Sequence, residues 1–226
     1  MFTRNRKIPD SMTYSPPPNT CVAFLLRHGA TANNMAVPPR IQGSGENPGL
    51  SNEGRQQAAA TAAFLANQPI VAAYSSPLAR ARETAEIASQ PHDLAVQTVD
   101  DLREVDVGRW EGKSWEQISQ LEPDAHRLFV NDPGTHGYAG GENLSQVQDR
   151  VIPSVERVMK AHLGQCILIV GHNVVNRTLL AALLKLPIAH ARGISQDNCG
   201  INVIRFRDGQ FVYYRVPLGR EQAARR

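Results

Sequence analysis

Short apolar runs alternate with longer amphipathic segments along this chain, and the pattern predicts strands that alternate with helices. The runs 21–26 and 166–170 have strand length and no polar alternation, which is typical of strands covered on both faces. The Ala-rich segment 51–68 predicts a helix with Ser51 as its N-cap. Further along we expect a strand over 71–76 and helices over 77–88 (Pro77 first), 144–162 (a local kink at Pro153) and 174–185.

The C-terminal part has a hairpin pattern. The segments 202–206 and 210–216 flank Asp208-Gly209, a dipeptide that favours a tight turn between antiparallel strands. We therefore predict an α/β fold: a three-layer αβα sandwich with a mainly parallel sheet and one antiparallel strand near the C-terminus. Ligand sites in such folds lie beyond the carboxyl ends of strands, where His28 and His172 follow their predicted strands.

The length and tail composition suggest a single domain. The chain of 226 residues is long enough for one sizeable core and short for two. We predict a flexible, basic and Pro-rich extension over 1–20, a catalytic domain over 21–216 and a basic tail over 217–226. Because the sequence has neither a secretory h-region nor an apolar run of about 18 residues, we expect a cytoplasmic protein with no membrane partner.

Charge and cysteine content narrow the possible partners. The net charge is +3, but each basic end contributes +2, so the body carries about −1. A near-neutral body is not typical of a domain that neutralises many phosphates, and we expect no nucleic-acid partner. Three cysteines without C-x-x-C spacing favour buried free thiols over a disulfide framework or a zinc site.

Arg27-His28-Gly29 places a cation, an imidazole and a flexible backbone at one strand end. Alone it is weak evidence, because a histidine at a strand end is more often a hydrogen-bonded structural residue than a nucleophile. Further motifs follow it in order between residues 21 and 206: Arg27-His28-Gly29-x-Thr31-x-x-Asn34, Gln42-Gly43, Leu50-Ser51-x-x-Gly54-x-x-Gln57-Ala58, Ser75-Ser76-x-Leu78-x-Arg80-Ala81-x-x-Thr84-Ala85, Leu102-Arg103-Glu104-x-x-x-Gly108-x-Trp110-Glu111-Gly112, Gly141-Glu142 and Gly171-His172.

Together these motifs resemble the histidine phosphatase superfamily, in the branch of phosphoglycerate mutases and small phosphatases. The resemblance implies that His28 is the nucleophile and Glu104 the proton donor, with Arg27, Arg80 and His172 forming the phosphate pocket. The chemistry agrees, because a phosphomonoester carries close to two negative charges. Arginine forks can hold its oxygens while a neutral imidazole attacks phosphorus.

Other candidates have weaker support. Asn34, Gln42, Gly43 and Asn173 are further candidates for phosphate or substrate binding, and each can equally be a loop or cap residue. Glu142 is the second candidate for the acid. We expect no metal and no cofactor, since two arginines aimed at one place repel a cation. The remaining histidines lack ligand spacing and are expected at the surface or in packing: His92, His126, His136, His162 and His190.

The predicted function is a phosphatase that hydrolyses a small phosphomonoester through a phosphohistidine. The alternatives are a phosphoglycerate mutase and a non-catalytic domain that binds phosphorylated ligands. Only 37 residues separate Glu104 from Glu142, which is compact compared with the insertion expected of a mutase. The substrate class stays open among sugar phosphates, phosphoglycerates and alpha-ribazole phosphate, as does the oligomeric state. Selectivity is expected from the segments 38–50, 105–142 and 190–200.

Overall fold

The computed structural model describes residues 14–214, and these residues contain a single six-stranded sheet. Its strands are β1 (Thr20–Arg27), β2 (Ile70–Ser75), β3 (Val96–Thr98), β4 (Cys166–Gly171), β5 (Ile201–Arg207) and β6 (Gln210–Tyr214). The spatial order is β3-β2-β4-β1-β5-β6.

The strand directions confirm the predicted sheet. Strand β4 pairs in parallel with both β1 and β2, and β2 pairs in parallel with β3. Strand β5 runs antiparallel to β1 and to β6. At the hairpin, Asp208 and Gly209 have φ values of 51° and 78°, so both adopt the left-handed conformation that a type I′ turn requires.

Helices cover both faces of the sheet and complete the three layers. Side chains alternate along β1: Val22, Phe24 and Leu26 enter a core with the helix Ala79–Ser89, while Ala23 and Leu25 enter a second core with the helices Leu144–Lys160 and Asn173–Leu183. This two-sided burial explains the unbroken apolar runs of β1 and β4. The helices are α1 (Ala32–Met35), α2 (Asn52–Leu65), α3 (Ala79–Ser89), α4 (Trp115–Leu121), α5 (Pro123–Asn131), α6 (Leu144–Lys160) and α7 (Asn173–Leu183).

Several element boundaries differ from prediction. Helix α3 starts at Ala79 with Leu78 as its N-cap, not at Pro77. The reason is that the Ser76 N–H donates to the Val170 carbonyl (3.0 Å), so the chain stays aligned with the sheet beyond β2. Helix α2 ends three residues before the predicted limit of 68, α6 ends two before 162 while including Pro153, and α7 runs from 173 to 183.

The ends of the predicted domain lie partly beyond the described residues. The extension up to residue 13 and the tail 217–226 lie outside them, as do the last two residues of the predicted hairpin strand, 215–216. Tyr14 packs edge-on against Phe24 with a ring-centroid distance of 5.6 Å. Within residues 14–214, no helix is both long enough and apolar enough to cross a lipid bilayer.

Candidate active site

Two neighbouring parallel strands bring the candidate histidines together. Arg27 at the end of β1 is in register with Gly171 at the end of β4, so the next residues, His28 and His172, emerge side by side. Their ring centroids are 5.2 Å apart and the rings are tilted by 58°. Helix α3 supplies Arg80 from its first turn, and Glu104 follows a 3-10 helix over Asp100–Leu102.

The local contacts of His28 distinguish its two ring nitrogens. The ring is 3% exposed, and Nδ1 lies 2.7 Å from the Gly29 carbonyl oxygen. Because a carbonyl only accepts, Nδ1 carries the hydrogen and Nε2 keeps its lone pair. Burial, followed by the charges of Arg27 and Arg80, holds the pKa of His28 well below its ordinary value. The imidazole is therefore neutral near pH 7.

Both candidate arginines are anchored by backbone carbonyls. Arg27 Nη1 donates to the Gln196 carbonyl (2.7 Å), and Arg80 Nη2 donates to the Gly43 carbonyl (2.8 Å). The Nε atoms of both arginines are buried without a partner among the described residues. Burial lowers the pKa of Arg27 to about 10, against the opposing charge of Glu104, so Arg27 remains a cation at neutral pH. The two anchored guanidinium groups suit an anion.

His172 is fully buried as the N-cap residue of α7. Within residues 14–214 neither of its ring nitrogens has a hydrogen-bonding partner. Burial is the main cause that holds its pKa well below the ordinary value, with further lowering by Arg80, His28 and Arg27. The neutral ring still offers one N–H donor, and an arriving dianion favours the protonated form, which offers two.

Glu104 is held at the start of α7. The side chain is 3% exposed; Oε1 accepts from the N–H groups of Val105 (3.0 Å) and Val175 (3.2 Å), and Oε2 accepts from Val174 (3.2 Å). Its backbone segment is fixed by Arg150, whose Nη1 donates to the carbonyls of Asp101 (2.6 Å) and Arg103 (2.8 Å). The three N–H donors orient the carboxyl group, and Arg150 fixes the backbone segment that carries it.

Glu142, the second candidate acid, supports this arrangement from outside the cavity. Its carboxylate forms a two-pronged ion pair with Arg150 (2.8 and 2.9 Å) and accepts from the Asp106 N–H (2.9 Å). Burial acts to raise the pKa of Glu142, but the hydrogen bonds from Arg150 and Asp106 outweigh it and the pKa is lowered. A carboxylate engaged in this way orients the Glu104 segment through Arg150.

A cavity of about 240 Å³ opens beside His28 and Glu104. Its walls include three of the weaker candidates, Asn34, Gln42 and Asn173. Gln42 Oε1 accepts from the Thr31 hydroxyl (2.8 Å), while Gln42 Nε2 is buried without a partner among residues 14–214. Gln42 therefore has an amide donor available for a ligand.

Gly43 lies behind the cavity wall. Its N–H donates to Glu111 Oε1 (2.7 Å) and its carbonyl accepts from Arg80, so its contacts position Arg80. Sequence reasoning did not identify Glu111 as the support of this loop, although Glu111 belongs to the Trp110-Glu111-Gly112 motif. It also missed Arg150, for which no sequence signal was available.

All three segments expected to control selectivity contribute to the cavity walls, through residues 39–42, residues between 105 and 138, and residues 191–192. Trp115 is a wall residue, whereas Trp110 is fully buried. Three arginines of the walls were not predicted: Arg40, Arg177 and Arg192. Arg177 follows Asn173 by four residues on α7, a spacing that could have indicated it.

Within residues 14–214, no group of three or more His, Cys, Asp or Glu side chains is placed to hold a metal ion. His162 forms hydrogen bonds with protein side chains: its Nε2 lies 2.7 Å from the Tyr74 hydroxyl and its Nδ1 lies 2.7 Å from Gln165 Oε1. The positive charge next to His28 comes from side chains, Arg27 and Arg80 above all.

Comparison with known proteins agrees with this geometry. The family model of the histidine phosphatase superfamily (branch 1) matches residues 23–217. Phosphoserine phosphatase 1 of Hydrogenobacter thermophilus is 31% identical over 195 residues, which cover 86% of this chain and 91% of that protein. A probable phosphoglycerate mutase of Salmonella choleraesuis is 30% identical over 189 residues, covering 84% of this chain and 86% of the relative.

Among solved structures, YhfR of Bacillus stearothermophilus superimposes with a TM-score of 0.80 at 31% sequence identity. The match covers 88% of this chain and 98% of that structure. The resemblance seen in the sequence motifs is thus confirmed over nearly the whole described domain. The chain belongs to the histidine phosphatase superfamily, branch 1, and is a phosphoric monoester hydrolase that acts on a small phosphoester.

Proposed function

We propose that this protein hydrolyses its phosphomonoester in two steps through a phosphohistidine at Nε2 of His28. The observation that carries the proposal is the contact between His28 Nδ1 and the Gly29 carbonyl oxygen, 2.7 Å long. It leaves the lone pair of a neutral imidazole on Nε2, in a ring that lies close to His172 and within the field of the Arg27 and Arg80 charges. A dianion held there by cations accepts a neutral nucleophile without charge repulsion.

In the first step, Nε2 of His28 forms a bond to phosphorus as the bond between phosphorus and the leaving oxygen breaks. Glu104, in its protonated form, gives a proton to that oxygen, because an alkoxide is a poor leaving group. In the second step the Glu104 carboxylate takes a proton from water, and the water oxygen forms a bond to phosphorus as the bond between phosphorus and Nε2 of His28 breaks, which releases inorganic phosphate. Glu104 and His28 are then back in their starting states.

In this proposal, arginine side chains supply the positive charge that a metal ion supplies in other phosphatases. Arg27, Arg80 and His172 supply preorganised donors where negative charge develops on the phosphoryl oxygens. Arg80 and His172 are fully buried and Arg27 is partly buried, and electrostatic interactions strengthen where water is excluded. We therefore propose catalysis without a metal or an organic cofactor.

Hydrolysis fits the chain better than mutase chemistry. A mutase must exclude water and retain a bisphosphorylated intermediate, and the segment between Glu104 and Glu142 is only 37 residues long. A non-catalytic binding role is less consistent with a complete set of nucleophile, acid and phosphate donors. Three buried free cysteines fit a reducing compartment, and we propose the cytoplasm as the location.

The volume of the cavity limits the size of the leaving group that the substrate can carry. At about 240 Å³, it lies below the roughly 300 Å³ at which typical small-molecule sites begin. A leaving group of glycerate or serine size fits this volume better than the nucleoside-like group of alpha-ribazole phosphate. Phosphoserine, the substrate named for the Hydrogenobacter relative, belongs to the favoured size class.

The experiment is a rapid-quench assay with ³²P-labelled substrate in the presence of EDTA. We expect turnover of p-nitrophenyl phosphate and an acid-labile, base-stable label on the wild-type enzyme. Complete loss of activity in EDTA, restored by added metal, would contradict the metal-free proposal. Turnover without any covalent label in the burst phase would contradict the phosphohistidine.

A further inference from the structure

The cavity holds more positive charge than one phosphate group needs. Arg27 is the arginine of its walls that belongs to the proposed phosphate pocket, and Arg80 of that pocket is not a wall residue. The walls contain three further arginines, Arg40, Arg177 and Arg192, whereas Glu104 is their one carboxylate among the described residues. A phosphomonoester alone carries close to two negative charges. The surplus indicates that the substrate has a second anionic group.

Arg177 is placed to meet such a group. It lies four residues after Asn173 on α7, so the two side chains share one face about 6 Å apart along the helix axis. Arg177 Nε donates to the Ile194 carbonyl (2.7 Å), which fixes the guanidinium while both terminal nitrogens remain available. No carboxylate within residues 14–214 forms an ion pair with Arg177.

Arg192 is held at the same wall by aromatic rings. Its guanidinium carbon lies 5.1 Å from the centre of the Trp115 ring and 5.5 Å from that of Phe129, within the range of cation–π attraction. Burial lowers the pKa of Arg177, the charges of Tyr138 and Glu104 oppose that lowering, and the charge of Arg192 adds to it. Within the described chain Arg192 also forms no ion pair with a carboxylate.

We propose that Arg177, assisted by Arg192, binds a carboxylate of the substrate, so that the enzyme acts on compact phosphorylated carboxylic acids. The inference rests on the proposed phosphatase function and adds the class of leaving group. A guanidinium group can form two parallel hydrogen bonds to a planar carboxylate. Arg177 lies about one helical turn from the N-terminus of α7, a distance that the short carbon chain of a small substrate can span. The small cavity favours a carboxylate over a second, bulkier phosphate.

The test compares matched substrates. 3-Phosphoglycerate and glycerol 3-phosphate differ by a carboxylate in place of a hydroxymethyl group, and glycerol 1,3-bisphosphate carries a second phosphate. We expect kcat/KM for 3-phosphoglycerate to exceed that for glycerol 3-phosphate by roughly 10–100-fold, the effect of a hydrogen-bonded ion pair. Arg177→Gln should reduce this ratio by a similar factor, mainly through KM, and Arg177→Lys should restore part of it.

Two controls isolate the subsite. Arg82→Gln removes a surface charge that pairs with Glu86 on α3 (3.1 Å) and should leave the ratio unchanged. Arg192→Gln should lower the ratio less than Arg177→Gln. Because the ratio is taken within each variant, a partial loss of folded enzyme cancels.

The outcomes separate this inference from the function it rests on. An equal kcat/KM for 3-phosphoglycerate and glycerol 3-phosphate in the wild-type enzyme would overturn the carboxylate subsite whatever the variants do. A preference for glycerol 1,3-bisphosphate over 3-phosphoglycerate would also overturn it, in favour of a phosphate subsite. Absence of hydrolysis of all three and of p-nitrophenyl phosphate would instead refute the phosphatase itself.

Discussion

Gly29 and Gly54 are in backbone contact next to His28: a Cβ atom added to Gly29 would lie 2.5 Å from the Gly54 carbonyl oxygen. A Cβ atom added to Gly54 would lie 2.1 Å from the Ala30 carbonyl oxygen. Side-chain carbons do not approach backbone atoms so closely. Helix α2 can therefore pack against the loop that follows His28 only because both positions are glycine.

This contact predicts the effect of Gly54→Ala. The methyl group must push α2 away from the loop, so the free energy of unfolding should fall by about 1–3 kcal/mol and kcat/KM should fall as His28 shifts. The control is Gly193→Ala, where a Cβ meets nothing within 4 Å, with an expected change of less than about 0.5 kcal/mol. Chemical denaturation and steady-state kinetics measure both. Equal stability losses in the two variants would contradict the packing argument.

The two histidines should respond differently to replacement. His28→Ala should abolish turnover and covalent labelling, because no neighbouring group can replace the nucleophile. His172→Ala removes one of several phosphate donors and should lower kcat by about 10²–10³, leaving measurable activity. Rapid quench with labelled substrate distinguishes them. Persistent acid-labile label in His28→Ala would place the nucleophile elsewhere.

Glu104→Gln should depend on the leaving group. General-acid catalysis contributes about 10²–10⁴ when an alkoxide departs, so enzyme phosphorylation by an alkyl phosphate should slow by that factor. Phosphorylation by p-nitrophenyl phosphate should slow far less, because p-nitrophenolate leaves without a proton. The comparison uses the pre-steady-state burst or kcat/KM, since Glu104 is also proposed to activate water in the second step.

Glu142→Gln is the matched control for this experiment. It breaks the ion pair with Arg150 and should lower activity to a similar extent for both leaving groups, because Glu142 acts by positioning. Equal losses for both substrates in Glu104→Gln would reduce Glu104 to a positioning role. A leaving-group dependence found in Glu142→Gln would transfer the acid to Glu142.

The buried histidines predict how stability depends on pH. The pKa values of His28 and His172 are lowered well below 6.5 in the folded protein, so below pH 6.5 the unfolded chain binds protons that the folded chain does not. Stability from these groups is therefore complete above about pH 6.5 and decreases as the pH falls toward their folded pKa values. Urea unfolding at a series of pH values measures the slope.

Replacement of either histidine tests the assignment. His28→Ala and His172→Ala should each show a shallower loss of stability between pH 6.5 and pH 5 than the wild type, by up to one proton per molecule. Slopes identical to that of the wild type in both variants would mean that these groups do not remain neutral in the fold.

Much of the fold was predictable because its signals are local. The unbroken apolar runs of β1 and β4 reflect burial on two faces, and the Asp208-Gly209 turn needs residues that tolerate positive φ. The start of α3 was predicted wrongly because a proline at position 77 favours a helix start, while the hydrogen bond of Ser76 to a neighbouring strand decides otherwise. Such a bond depends on sheet order, which local patterns do not contain.

The candidate site was likewise predictable in part from the sequence. The motifs around His28, Arg80, Glu104 and His172 determined by themselves which chemistry we propose, because the charge of a phosphoryl group calls for these residue types. Tertiary structure alone decided which nitrogen of His28 keeps its lone pair, how Arg150 holds the Glu104 segment and that Arg177 faces the same cavity. These relationships join residues distant in sequence or set by backbone geometry, and only the packing of α6 and α7 against the sheet brings them together.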